Sequence, residues 1–472
     1  MKENETNPRF MNRPICFVRQ VLSVFLVAGV ILTNTMLAQQ SGEDPMNVVV
    51  LITDDQRWDA LGAAGNEIIH TPRLDQLSEE GVRFTNAYVT SSICMVSRAS
   101  ILTGQYMSRH NISRFGVEIE PEEFADTYVG MLRKAGYWTG FVGKYGIGQA
   151  RKSDFDFLRT YFGRFWRETE SGERIHITEM NTLDSIEFLR ERPKDKPFLL
   201  SLSYSAPHAQ DGHPDQYLPQ NWSAEHYQNV TIPPSPLNRA EYILSLPEFI
   251  RQEANEGRVR YNWRFDSPER YQRYMTNYFR LITEIDQSVG RLIDELKEQG
   301  VYDNTLIIYM GDNGYFYGDR GLADKWYPYE ESIRVPLLIR DPRMPEEGVV
   351  NNEIALNIDL APTIISAAGL PVPSMIQGKD LAPLYLQQSP PVWRDEFFYE
   401  HPTITYKSRI PSSEAVVRLD TKYVYWPEWE HEQLFDLEKD PTEKNNLIHD
   451  VSYTNELQEM REKLRDWKKR AQ

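Results

Sequence analysis

Cysteine is nearly absent: the chain has two in 472 residues, Cys16 and Cys94. Two cysteines cannot build a disulfide framework. Long apolar runs are as scarce. The best candidate, residues 21–32, is short for a membrane span, and no later stretch could cross a bilayer. Basic residues are outnumbered, 52 against 69 acidic, for a net charge of -17. No basic face dominates, which excludes a nucleic-acid partner. A polyanionic substrate would need a local basic site working against a repulsive global field. Internal repeats and long low-complexity tracts are missing too. Apolar residues make up 40% of the chain, enough for a sizeable core.

The N-terminal segment has the pattern of an export signal. Lys2, Arg9, Arg13 and Arg19 form a positive region, residues 21–32 an apolar one, and Ala38 a small residue at the expected cut. Residues 1–38 are therefore expected to be a signal peptide, the other reading being an uncleaved anchor. Cleavage removes four basic and two acidic residues, taking the net charge from -17 to -19. Cys16 leaves with it, so an exported chain keeps one cysteine, Cys94, without an internal partner.

From about residue 46 to 385, apolar strands alternate with helical spacing, which argues for an α/β domain with a largely parallel sheet. Strands are expected at 47–53, 138–142, 197–204, 305–310 and 335–339. Helices are expected at 71–80, 121–135 and 274–299. Residues 210–270, rich in Pro, Asn, Arg, Tyr and Trp, read as a surface insertion of the kind that shapes a cleft. The expected boundaries are a catalytic domain at 45–385, a proline-containing linker at 386–395, and a smaller C-terminal unit at 396–472. That unit carries expected strands at 397–400, 415–419, 422–426 and 433–436 and a charged helix at 451–470.

In open α/β sheets, ligands bind beyond the carboxyl ends of the strands. The first expected strand is followed by Asp54-Asp55, the second by Gly143-Lys144, the third by Pro207-His208, and the fourth by Gly311-Asp312-Asn313-Gly314. Asp54, Asp55, Asp312 and Asn313 offer hard oxygen donors that suit Ca²⁺ or Mg²⁺. Zinc-type Cys and His spacing is absent. Asp, Asn and Gly also favour turns, but both sets follow core strands. Cys94 opens a short expected helix, where free amides and the dipole favour an anion and lower a thiol pKa. Arg98 lies one turn on, on the same face. The plainer alternative is a buried structural cysteine.

The run Cys94-x-x-Ser97-Arg98-x-x-x-Leu102-Thr103-Gly104 resembles the signature of the type I sulfatases, and the resemblance covers nearly the whole chain beyond residue 45. It takes in Asp54-Asp55, Gly143-Lys144, Pro207-His208, Asp312-Asn313-Gly314 with Lys325 beyond, and the stretch from Leu434 to Leu447. It implies an alkaline-phosphatase-like fold with a smaller C-terminal antiparallel sheet. It implies that a formylglycine-generating enzyme converts Cys94 to formylglycine (3-oxoalanine), whose hydrated form attacks the sulfur of a sulfate ester. It implies one calcium ion held by Asp54, Asp55, Asp312, Asn313 and the modified Cys94. Arg98 would support the nucleophile, Lys144 and Lys325 would neutralise the sulfate, and His208 would protonate the leaving alcohol. Two positions depart from the family pattern. Val96 replaces its usual proline or alanine. Gly146, in Gly143-Lys144-Tyr145-Gly146, replaces a histidine that would contact the nucleophile, leaving Tyr145 or a residue from elsewhere to substitute.

The expected function is sulfate-ester hydrolysis on a sulfated oligosaccharide or polysaccharide, an algal glycan for example, in the periplasm or outside the cell. Phosphodiester or phosphonate hydrolysis on the same scaffold is a second reading, and an inactive glycan-binding chain a third. His401 reads as a surface-loop histidine that could reach the cleft. His176 and Trp166 could line its mouth. His110 and Arg114 read as partners of buried polar groups. Asn111, Asn221 and Asn229 match glycosylation triplets.

Overall fold

The computed structural model describes residues 45–169, 171–387 and 392–472. The expected signal peptide, with Cys16, and residues 388–391 of the expected linker lie outside them.

The run NVVVLITD, dense in β-branched residues, forms the central strand Asn47–Asp54, buried along its whole length. Its side chains alternate between two cores. Val48, Val50 and Ile52 join one, and Val49 and Leu51 the other. The strand thus sits mid-sheet with a covered face on either side. The eight-stranded sheet runs, edge to edge, Val349–Leu356, Val82–Tyr88, Leu337–Arg340, Thr305–Gly311, Asn47–Asp54, Phe198–Pro207, Trp138–Gly143 and Phe157–Thr160. Neighbours pair parallel, except that Leu337–Arg340 opposes both its neighbours. The expected strand at 335–339 is therefore the antiparallel member. The strands at Val82–Tyr88, Phe157–Thr160 and Val349–Leu356 were not legible in the sequence.

One face is covered by the helix Ile177–Glu191 and the long helix Pro268–Glu298. The latter starts before the expected 274, because Ser267 caps it, accepting from Arg270 N–H, and Pro268 enters its first turn. The other face holds Cys94–Thr103 and Leu360–Ala367. The expected helix at 121–135 is two, Pro121–Phe124 and Tyr128–Lys134, because Thr127 interrupts the first and caps the second through Gly130 N–H. The 210–270 segment is more regular than its composition suggested, with helices Ala240–Ser245, Glu248–Arg251 and Glu256–Arg264.

The strands Glu396–His401, Ser413–Arg418, Thr421–Trp426 and His431–Asp436 form a separate antiparallel meander, followed by the helix Thr454–Arg470. It docks through buried charges: Lys422 meets Glu330 at 2.8 Å and Glu443 at 2.6 Å, and Arg320 meets Glu443 at 3.4 Å. Among the described residues no helix is long and apolar enough to cross a membrane.

Candidate active site

Four neighbouring parallel strands end at one edge of the sheet. Register aligns Thr53 with Gly311, Asp54 with Pro207, and Gly143 with Ser203. The Asp54-Asp55, Asp312-Asn313, Lys144 and His208 motifs therefore arrive together. Asp312 N–H donates to the Thr53 carbonyl at 2.8 Å, and Asp55 N–H to Asp312 Oδ1 at 3.2 Å. Asp55 adopts a left-handed backbone (φ 64), which aspartate tolerates better than most residues. Its Oδ1 accepts from Asn313 Nδ2 at 2.7 Å. Lys325 follows the short hairpin of Phe316–Tyr317 and Ala323–Asp324 and ion-pairs with Asp55.

Arg98 ties the signature helix to this edge. Its Nε meets Asp312 Oδ2 at 2.8 Å and its Nη2 lies 3.5 Å from Asp54 Oδ2. Its Nη1 donates to the Lys144 carbonyl at 2.6 Å and to Ser203 Oγ. Lys144 pairs with the other side of the cluster, at Asp54. Ser97 is held by Asn357 Nδ2 at 2.9 Å, and all ten residues of the helix are buried.

Burial and charge act against each other here. Burial raises Asp54, but Lys144, His208, Arg98 and Lys325 outweigh it and hold the carboxyl well below the usual range. Burial and the Asp54 carboxylate push Asp312 up to about 6, against the pull of Arg98. Burial disfavours the Lys144 and Lys325 charges, yet Asp54 raises the first and Asp55 the second. Burial also pushes the Cys94 thiol up, with Asp54 and Asp312 helping and the two lysines opposing. The lowered thiol pKa expected from the helix terminus is thus overturned, with desolvation as the largest cause. A protonated thiol is a poor nucleophile as it stands.

Three buried oxygens in this cluster have no hydrogen bond: Asp54 Oδ1, Asp55 Oδ2 and Asn313 Oδ1. Asp54, Asp55 and His208 also each bring a ligand atom within 4.8 Å of one another. Hard, buried oxygens without hydrogen bonds, beside repelling carboxylates, are a donor set for a hard divalent cation.

Gly146 now has a physical explanation. It sits at φ 79, and a Cβ there would come 2.7 Å from Arg98 Cδ. The Arg98 stem occupies the space a side chain would need. Tyr145 does not substitute: its ring packs edge-on to Phe141 and Phe155 in the core. Gly146→His is expected to cost about 2 kcal/mol, through a strained backbone and a displaced Arg98. Urea unfolding checks this, and an unchanged midpoint refutes the steric account.

A cleft of roughly 470 Å³ opens over Cys94, lined also by His208, Lys325, Asp211, Glu256, Arg260 and Arg409. Four of these were missed in the sequence. Asp211, Glu256 and Arg260 come from the 210–270 segment and Arg409 from beyond the linker, in stretches without motif spacing. Arg260 pairs with Asp211 and Glu256, and buried Arg264 bridges Asp211 and Asp324 at 2.8 Å each.

His401 is not a surface-loop residue. It ends an edge strand of the C-terminal sheet, yet is 2% exposed, and neither ring nitrogen has a hydrogen-bond partner. His176 does not line the cleft mouth either: it is buried and caps the helix Ile177–Glu191 through Thr178 N–H. Trp166 pairs with it in a short hairpin under Arg174. His110 meets Ser100 Oγ at 3.1 Å, as a partner of a buried polar group; Arg114 is exposed.

Burial lowers His401 to about 3. Its folded value lies below the unfolded value near 6.5, so its stability contribution is complete above pH 6.5 and is lost as pH falls toward 3. Between pH 6.5 and 4.5 the loss is about 2 kcal/mol. Urea titrations at both values should show His401→Leu losing that much less than the parent; equal losses refute the assignment.

Comparison with known proteins agrees with this geometry. Residues 46–370 match the sulfatase family pattern, and residues 318–470 match that of the N-sulphoglucosamine sulphohydrolase C-terminal region. An N-acetylglucosamine-6-O-sulfatase of Bacteroides thetaiotaomicron is 27% identical, over 90% of this chain and 86% of its own. An arylsulfatase of Clostridium perfringens is 29% identical, over 89% and 93%. A solved structure in complex with its substrate D-glucosamine-2-N,6-O-disulfate shares the fold with a TM-score of 0.76 at 24% identity, over 91% of this chain and 98% of its own. A phosphonate monoester hydrolase from Silicibacter pomeroyi does so with 0.77 at 22%, over 90% and 96%. The family match over most of the chain, on a scaffold that delivers the Cys94 helix to an acidic strand-end cluster, establishes that this chain belongs to the sulfatase family and is a sulfuric ester hydrolase.

Proposed function

We propose that the chain hydrolyses sulfate esters on a sulfated carbohydrate, using formylglycine derived from Cys94 and a calcium ion. The observation that carries this reading is Cys94 beside Lys144, Lys325 and the buried oxygens of Asp54, Asp55 and Asn313 that lack a hydrogen bond. Those residues, with Asp312 and the converted Cys94, would hold the ion. The ion supplies charge stabilisation for the sulfate oxygens, and the formylglycine supplies a hydroxyl nucleophile.

The chain's own groups do the rest. Arg98 fixes the helix that presents residue 94 and keeps Asp312 and Asp54 in place. Lys144 and Lys325 neutralise the sulfate. His208 Nδ1–H donates to the Ala209 carbonyl at 2.6 Å, which assigns the tautomer and leaves Nε2 to carry the proton given to the leaving alcohol. Nε2 lies 3.6 Å from Asp55 Oδ2. The carbohydrate assignment draws on relatives named for sulfated sugars, including an ulvan-active sulfatase of Formosa agariphila. We further place the chain outside the cytoplasm, after removal of residues 1–38 and conversion by a sulfatase-maturing enzyme. We divide the remainder into a catalytic domain at 45–385 and a C-terminal subdomain at 396–472.

Two measurements test this reading. Chelation followed by dialysis should abolish turnover and lower stability by about 3 kcal/mol relative to protein at a hundredfold excess of calcium over its dissociation constant. Readdition should restore both, and chelated protein that melts and turns over unchanged refutes the metal site. The phosphonate hydrolase among the fold neighbours motivates the second. Paired aryl sulfate and aryl phosphonate esters should show the sulfate as the preferred substrate; the reverse preference makes the chain a phosphonate hydrolase.

A further inference from the structure

Beside the cleft over Cys94 lies a second lobe of roughly 420 Å³. The two lobes share His208 and Asp211, so the second lobe adjoins the reacting centre on the far side of His208. Their chemistry differs. In the Cys94 lobe the outer cations are already paired: Arg260 with Asp211 and Glu256, Arg409 with Glu256.

The second lobe is walled by the turn Phe162-Gly163-Arg164-Phe165, facing Ser205 and Gln210. That turn is fixed in place. Phe165 N–H donates to Gln210 Oε1 at 2.9 Å, and Arg167 donates to the Phe162 carbonyl at 2.8 Å. Phe162 stands 69% exposed at the rim. Among the described residues, exposed Arg164 has no acidic partner and no side-chain hydrogen bond. Ser205, 7% exposed, carries a buried hydroxyl without a hydrogen-bond partner. The lobe's other cation, Lys144, is committed to Asp54.

An aromatic face and an uncommitted guanidinium suit a sugar ring that carries an anion. The ring face packs on the aromatic, and the guanidinium pairs with a carboxylate or sulfate in a two-pronged bond. We propose that this lobe is a glycan subsite for an anionic neighbouring sugar, with Arg164 as its specificity-determining residue, so that the enzyme acts on sulfated residues within a chain. The proposal rests on the sulfated-carbohydrate reading above. The position of the lobe across His208 from the Cys94 cleft puts a second sugar next to the one losing sulfate.

The test uses the converted, calcium-loaded full chain and sulfated di- and tetrasaccharides of three kinds. The neighbouring sugar is a uronate, a second sulfated sugar, or an unsulfated neutral sugar. In the parent, kcat/KM should favour an anionic over a neutral neighbour by about tenfold or more. Arg164→Ala should bring that ratio close to one through KM, and Arg164→Glu should invert it. The uronate and sulfate arms show which anion is read. A parent without preference, a ratio untouched by either substitution, or faster release from a lone sulfated monosaccharide than from the tetrasaccharides overturns the subsite. Complete inactivity on every sulfated sugar, from monosaccharide to tetrasaccharide, overturns the underlying sulfated-carbohydrate reading instead, and is seen before any ratio is measured.

Discussion

A Cys94→Ala variant should fold as the parent does and lose sulfate-ester turnover by at least about 10⁴-fold in kcat, as when a nucleophile is deleted from an enzyme that works by covalent catalysis. The side chain is small and buried, and burial holds its thiol above the usual range, so deletion should cost at most about 1 kcal/mol in stability. The two readouts therefore separate. Intact-mass measurement on the parent adds a third. The peptide holding residue 94 should be about 18 Da lighter than its thiol form, from exchange of the thiol for an aldehyde. A variant that keeps turnover within tenfold of the parent removes Cys94 from the chemistry. An unmodified thiol after coexpression with a maturing enzyme removes formylglycine from the proposed mechanism.

Arg98→Ala should produce the largest loss of stability in the site, about 3–5 kcal/mol, because it breaks a buried ion pair from one side. Arg98 is 5% exposed and serves Asp312, Asp54, the Lys144 carbonyl and Ser203 together. Without it, Asp312 and Asp54 face each other with less compensation, and the signature helix loses its tie to the strand ends. Turnover should fall about 10²–10³-fold as well. Arg98→Lys should recover part of the stability, since it keeps the charge and loses the fork. Urea midpoints for both variants decide the matter. If alanine is tolerated within about 1 kcal/mol, the ion pairs in this cluster are not what holds the helix in place.

The strand-end motifs were legible because each is local. A β-branched run followed by two aspartates needs no knowledge of distant residues, and parallel pairing of the four strands then brings the motifs together. Long-range placement was not legible. Asp211, Glu256, Arg260 and Arg409 meet at the cleft across nearly two hundred positions of chain, with no periodicity to announce them. His401 followed by Pro402 looks like a strand running into a loop, and nothing in that pair reports the layer of protein that covers it. The thiol of Cys94 failed for a related reason. A helix terminus can be read from spacing, but desolvation depends on everything packed around it. Gly146 showed up only as a missing histidine until the path of the Arg98 stem supplied the reason.

The complete burial of Cys94–Thr103 also sets a schedule. Once that helix has docked, no other catalyst can grip the segment, so any oxidation of Cys94 must take place while the stretch is still extended. Under the proposed conversion of Cys94, modification and folding therefore race for the same residues. The converted fraction in a purified sample would then be a clock reading of how long the nascent chain stayed open.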